Sequence, residues 1–306
     1  MKVFNSTSKA TGKIKNAVVT TGSFDGVHIG HKVIINRLNQ LARDQDGESV
    51  LITFHPHPRK VLYPEQKDLK LINSQEEKIE LLSKAGLDNL IVIPFSVEFS
   101  KTSSHDFVTE ILIGELGARI VVIGHNHHFG HNRKGDYSYL HALSKEYGFG
   151  VEEIPLKDIE NETVSSTKIR KALLEGNIQR ANAYLDHQYI ISSGLINGQG
   201  LPGMNELKTI RSLITEEEKL IPPPGIYATN LLQGGKWLKS MSFVLENEHG
   251  KRFVESALVY DPFDEKINHG TLYFYKKITD GNPLNNGEVS RTKVNEAREM
   301  IEELIY

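Results

Sequence analysis

Short, nearly unbroken apolar runs alternate with stretches that are apolar on one face only through the first half of the chain. Residues 17–21, 49–54, 89–94, 119–124 and 150–155 have the β-branched, continuously apolar character of strands, with Ile120, Val121, Val122 and Ile123 in direct succession. Between them, residues 31–43 place Val33, Ile34, Leu38 and Leu41 on one helical face. Ser74 and Glu77 stand at capping-box spacing, opening a helix to about residue 84. Residues 103–116 and 136–147 supply two more helices. Strand and helix alternate five times, and strands apolar on both faces belong in a parallel sheet covered by helices on each side. The pattern predicts a doubly wound α/β domain. Ligands of such sheets bind beyond the carboxyl ends of the strands, which directs attention to the segments after the first, second and fourth strands.

The character changes after two short helices expected over residues 165–186. Residues 188–193, 225–232, 237–245, 252–260 and 271–276 look like strands with no helices between them, separated by turns such as Pro222-Pro223-Pro224-Gly225. A final helix over residues 290–305 carries Val294, Ala297, Met300, Ile301 and Leu304 at helical spacing. A small antiparallel β-barrel with a C-terminal helix is the natural reading, with domains at 1–186 and 187–306.

Composition narrows the chemistry. The 306 residues are 39% hydrophobic and 25% charged, a globular balance, and the net charge of -3 supplies no general attraction to nucleic acid or an anionic membrane. With no cysteine, disulfides, thiolate metal sites and cysteine nucleophiles are excluded. No apolar run approaches the roughly 20 residues that span a bilayer, and residues 1–15 lack a signal-peptide core. A soluble, cytoplasmic protein acting on small molecules is expected, of undetermined oligomeric state.

The first strand runs into Gly22-Ser23-Phe24-Asp25-Gly26-Val27-His28-Ile29-Gly30-His31 and then a helix. A helix start offers free N–H groups and partial positive charge to a phosphate. His28 and His31, three apart, share a face there, and Gly30 allows close approach. This site can orient a phosphate and stabilise charge as pyrophosphate leaves, with no nucleophilic side chain. The fourth strand leads to Gly124-His125-Asn126-His127-His128-Phe129-Gly130-His131. Four histidines in seven residues invite a metal, but no carboxylate or cysteine accompanies them, and a loop facing a nucleotide is the better reading. Ser165, Ser166, Thr167 and Arg170 open a helix, either as an ordinary cap with a surface arginine or as a phosphate clamp. His55-Pro56-His57-Pro58-Arg59 could reach a second anionic ligand. The segment 94–100 is either a hydrophobic lid or simple packing.

In order, FDGVHIGH (24–31), HPHPRKVL (55–62), the stretch 95–107, GHNHHFG (124–130) and SSTKIR (165–170) resemble the adenylyltransferase module of bacterial bifunctional riboflavin kinase/FAD synthetases, over about residues 18–185. The resemblance implies a Rossmann-like nucleotidylyltransferase that moves AMP from ATP to FMN, giving FAD and pyrophosphate, with Mg²⁺ bridging the ATP phosphates. It implies catalytic roles for His28, His31 and Arg170. ATP would lie against Gly22, Phe24, Gly30, Gly124, Asn126, Ser165, Ser166 and Thr167, and FMN beside His57, Pro58 and Phe129. No protein metal cage is implied. The barrel departs from the family: residues 194–210 read GLINGQGLPGMNELKTI, without the Pro-Thr-Ala-Asn signature that serves Mg-nucleotide binding. Glu255 stands where the resemblance implies a kinase base, here a relic, so riboflavin kinase activity is expected to be absent or weak. Two alternatives stay open: a nucleotidylyltransferase for another phosphorylated acceptor, and a non-catalytic flavin- or nucleotide-binding regulator.

Overall fold

The computed structural model describes residues 1–65, 69–125, 127–155, 158–159, 162–198, 200, 209–216, 218–259, 268–281, 283 and 291–304. The chain forms two compact units. One comprises Met1–Leu69 and Lys78–Val164, the other Lys70–Glu77 and Ser165–Tyr306.

The first unit is built on a six-stranded sheet of order β1-β4-β3-β2-β5-β6, in which every pairing is parallel. Its strands are β1 (Lys2–Phe4), β2 (Val18–Thr21), β3 (Ser49–His55), β4 (Asn89–Pro94), β5 (Ile120–Gly124) and β6 (Gly150–Ile154). The helices are α1 (Ile29–Asp44), α2 (Pro58–Leu62), α3 (Gln75–Lys84), a short α4 (Ser104–Asp106) that widens into a π-helical stretch (Phe107–Glu115), and α5 (Tyr137–Tyr147). Side chains of a strand point alternately to its two faces, and this explains the unbroken apolar runs. Val18, Leu51, Leu90 and Val122 pack with Ile35, Leu38 and Leu82 of α1 and α3. Their neighbours Val19, Val50, Ile52, Ile91, Val121 and Ile123 pack on the opposite face with Phe107, Val108, Leu112, Leu140 and Leu143.

The chain moves from β2 outward through β3 and β4 in one direction and through β5 and β6 in the other. The order therefore reverses between β2 and β5, the kind of switch point beyond which doubly wound sheets bind ligands. The edge strand β1 was not expected. With three residues, two exposed and one half-buried, it leaves no periodic signal.

The second unit holds a closed antiparallel barrel, β10-β13-β12-β11-β14-β9. Its strands are β9 (Tyr189–Asn197), β10 (Thr209–Leu213), β11 (Gly225–Gln233), β12 (Lys236–Glu246), β13 (Arg252–Leu258) and β14 (His269–Asp280); a two-stranded hairpin, β7 (Asp158–Ile159) with β8 (Glu162–Thr163), precedes it in the chain. Val294, Ala297 and Ile301 of α8 (Arg291–Leu304) pack on Ile226, Ala228, Met241, Phe243 and Leu245 of β11 and β12. Alternate positions of these strands and of β13 carry a buried chain of hydroxyls: Thr229 meets Ser240 and Ser242 at 2.8 Å each, and Ser242 meets Ser256 at 2.7 Å. The helices α6 (Ser166–Leu174) and α7 (Ile178–Leu185) belong to this unit, because Asn182 donates to the Phe274 carbonyl (2.8 Å) and accepts from the Tyr189 amide (2.7 Å).

Residues 70–77 join the barrel through a buried ion pair. The Lys219 ammonium, 3% exposed as a residue, donates to Glu77 and to the carbonyls of Ile72 and Ile190 at 2.7 Å each. Glu77 also accepts from the amides of Ser74 and Ser192 at 2.9 Å. Both oxygens of the carboxylate are thereby engaged by donors, which is what a buried charge requires.

Candidate active site

The loop from β2 to α1 leaves the carboxyl end of β2 at this switch point. To turn out of the strand it takes positive φ at Phe24 (47°), Gly26 (94°) and Val27 (43°). The glycine adopts this readily and the two side-chain-bearing residues do not, so the surrounding fold holds the turn under strain. His28 then caps α1: its backbone is extended (φ -72°, ψ 173°) and its Nδ1 accepts from the His31 amide at 3.4 Å. An imidazole therefore takes the capping place usually held by a hydroxyl or carboxylate. The His28 and His31 rings stack at 3.6 Å, and His31 stacks on Phe24 at 4.4 Å. A Cβ on Gly30 would stand 3.2 Å from the His28 ring, so this glycine makes room for the stack.

Burial pushes the His31 imidazole well below its ordinary range, helped by the neighbouring His28 and the positive charge of Lys78. Its Nδ1 is buried without a hydrogen-bond partner among the described residues. A neutral ring can donate to a phosphate oxygen or accept from a bound water without altering the charge of the site.

After β5, Gly124 lies so close to α1 that a Cβ would come 3.2 Å from Ile34. The histidines beyond it disperse. His125 pairs with Glu153 at 3.0 Å, His131 with the Ser100 carbonyl at 3.1 Å, and His128 is exposed. His127 alone turns inward. Its Nε2 is buried and unpartnered among the described residues, and burial, reinforced by His128 and Arg133, lowers its pKa to about 4. Asn126 lies outside the described residues. Phe129 is 9% exposed within the core beside Phe107, and a Cβ on Gly135 would strike its ring at 2.5 Å. No group of three or more histidine, aspartate or glutamate side chains among the described residues is arranged to hold a metal ion.

At the carboxyl ends of β3 and β4, Phe54, Phe95 and Phe99 form a half-buried cluster with centroids 5.6 to 5.9 Å apart. The aromatic character of segment 94–100 was visible in sequence, but its meeting with Phe54 was not. Close by in the chain, His57 caps α2 by accepting from the Arg59 amide at 3.2 Å, with Pro58 as the first helical residue.

In the second unit, Ser165 caps α6 by accepting from the Lys168 amide at 3.4 Å, and Ser166 and Thr167 form the first turn. Arg170 donates through Nε to the Lys70 carbonyl at 2.9 Å. In the barrel, Glu255 is fully buried. Thr209 Oγ1 donates to it at 2.6 Å and Arg211 Nε at 2.8 Å. A Cβ on Gly198 would come 2.5 Å from this carboxylate, so the backbone of this glycine passes close to it. The stretch whose sequence departs from the family, residues 194–210, is described only at 194–198, 200 and 209–210.

A parallel sheet with a histidine-capped helix start at its switch point defines a Rossmann-like nucleotide-handling protein. Comparison with known proteins carries this further. A family model described as FAD synthetase matches residues 11–168. A bifunctional riboflavin kinase/FMN adenylyltransferase of Buchnera aphidicola is 30% identical over 275 residues, 87% of this chain and 86% of that one. The Listeria monocytogenes protein of the same description is 31% identical across 72% of this chain and 69% of its own length. A crystal structure of a macrolide-efflux protein from Streptococcus pneumoniae superposes with a TM-score of 0.83 at 23% identity, covering 99% of this chain and 98% of that one, and shows the shared two-unit fold alone. The chain belongs to the FAD synthetase family.

Proposed function

We propose that this protein is an FMN adenylyltransferase. A phosphate oxygen of FMN bonds to the α-phosphorus of ATP as the bond from that phosphorus to the bridging oxygen of the β-phosphate breaks; FAD forms and pyrophosphate leaves with the electron pair. The observation that carries the reading is the ring stack on the first turn of α1, in a chain of this family. His28 and His31 hold the triphosphate over the helix start and donate to oxygens whose charge grows in the transition state. Neither acts as a nucleophile or needs a charge of its own. Gly22, Phe24, Gly30 and Gly124 shape the ATP site, with Asn126 toward the nucleoside.

On the strength of their motif, Ser165, Ser166, Thr167 and Arg170 are assigned to the ATP phosphates, with Arg170 catalytic. Mg²⁺ belongs to the proposal as the ion that neutralises the triphosphate; it prefers oxygen ligands and retained waters, so the nucleotide itself would hold it. FMN is assigned to His57, Pro58 and Phe129. The apolar cluster of Phe54, Phe95 and Phe99, its rings edge-on or tilted to one another, supports an aromatic ring system lying beyond β3 and β4. Functionally, residues 1–186 form the transferase portion and 187–306 the kinase-like barrel. We also propose that riboflavin kinase activity is absent or weak, because Glu255, already engaged by Arg211 and Thr209, is poorly placed to take a proton from a substrate hydroxyl. The absence of cysteine supports a cytoplasmic setting.

Pyrophosphate release with FMN and Mg-ATP tests the transfer. His31→Ala should slow it by about 10²-fold or more with the fold retained; equal rates would refute the assignment.

A further inference from the structure

Four rings, rather than the three of the α1 stack, gather at the turn out of β2. A Cβ on Gly22 would stand 3.0 Å from the Phe24 ring and 3.9 Å from His127 Cε1. The imidazole of His127, arriving from the β5 loop, thus borders the same point as Phe24, which in turn carries His31 and His28. The row ends in Nε2 of His127, buried and without a hydrogen-bond partner among the described residues.

A phenyl ring at this position would fill similar space without an unpaired nitrogen, and buried polar atoms left unpaired lower stability. A fold that carries this cost next to a nucleotide-binding helix start gains from it when a ligand supplies the missing partner. The other histidines of the same loop have partners or face solvent, so the feature is specific to His127.

We propose that His127 is a nucleotide-positioning residue, its Nε2 hydrogen-bonding an oxygen on the ribose or α-phosphate side of the bound ATP. The inference rests on the ATP site proposed above and adds a contact from the β5 loop to those of α1. Because burial keeps this ring neutral at ordinary pH, it contributes direction and no charge.

Three variants test it: His127→Phe, His127→Gln and His127→Asn. The probe is α,β-methylene-ATP with Mg²⁺, titrated calorimetrically against the whole chain, so that no acceptor is involved. The phenylalanine variant should bind about tenfold more weakly, the loss of one neutral hydrogen bond, while melting at a higher temperature. Glutamine, whose amide nitrogen reaches the Nε2 position, should restore most of the affinity, and asparagine should not. A purely structural ring predicts the reverse for phenylalanine: unchanged binding and an unchanged or lower melting temperature. Equal affinities in the wild type and the phenylalanine variant, or equal weakness in glutamine and asparagine, would overturn the proposal. If the phenylalanine variant fails to fold, the glutamine–asparagine contrast decides. A wild type that binds the analogue yet makes no FAD would sink the FMN assignment and leave this inference standing; one that does not bind the analogue would sink both.

Discussion

Two sets of buried ionisable side chains, one in each unit, are held in opposite ways. In the barrel unit the buried carboxylates Glu77 and Glu255 are each held by a cation and further donors. At the switch point of the sheet unit, His31 Nδ1 and His127 Nε2 are buried with nothing to bond among the described residues. Paired charges in a packed interior fix a structure. Unpaired nitrogens beside a helix start and a strained turn mark a place prepared for a ligand. The contrast sets the switch point of the sheet apart as a place for a ligand, and the carboxylates of the barrel unit as groups already engaged.

Substitutions in the two units should therefore diverge, and the largest effect is expected at the stack. His28→Ala should lower kcat/KM for FAD formation by about 10²-fold or more and, with its cap lost, cost about 1 kcal/mol of stability; steady-state kinetics beside urea denaturation would show both. Glu77→Ala should do the opposite. It strands a buried ammonium, so a loss of about 3–5 kcal/mol in unfolding free energy is expected, and a loss under 1 kcal/mol would show that the pair is not structural.

An intermediate effect concerns pH. His127 takes up protons near pH 6.5 when unfolded but only near pH 4 when folded. Between those values the unfolded state binds more protons, so this residue makes stability fall as pH drops from about 6.5 toward 4. His127→Phe should flatten that part of a stability–pH curve; an unaltered slope would mean the ring is not buried as described. The smallest effect belongs to Gly30→Ala. Helix propensity favours alanine by up to about 1 kcal/mol, yet the added Cβ would press on the His28 ring at 3.2 Å. ATP KM should rise a few-fold while stability holds or improves.

Much of this was legible in the chain. The strands β2 to β6 announced themselves because both faces of the sheet are covered, and the HxGH turn could be read from its place between a strand and a helix. What sequence could not reveal depends on distant segments meeting. The strand β10 escaped notice because Thr209, Arg211 and Ser212 leave Thr-Ile-Arg-Ser-Leu without an apolar pattern; two of these side chains instead serve Glu255 on the neighbouring strand β13. Within the cluster 125–131 nothing in sequence singled out His127, since its distinction lies in which way each ring turns. The packing of Phe129 against Phe107 likewise joins segments that no sequence pattern links. The π-helical turn at Phe107–Glu115 has no periodic signature that separates it from an α-helix.

The central claim is that this chain makes FAD from FMN and that its barrel does not make FMN. Chromatographic product analysis of the whole chain, with FMN and riboflavin supplied separately and Mg-ATP in both, tests it most directly. The account predicts FAD and pyrophosphate from FMN, and little or no FMN or FAD from riboflavin. No FAD from FMN, or rapid FMN formation from riboflavin, would contradict it.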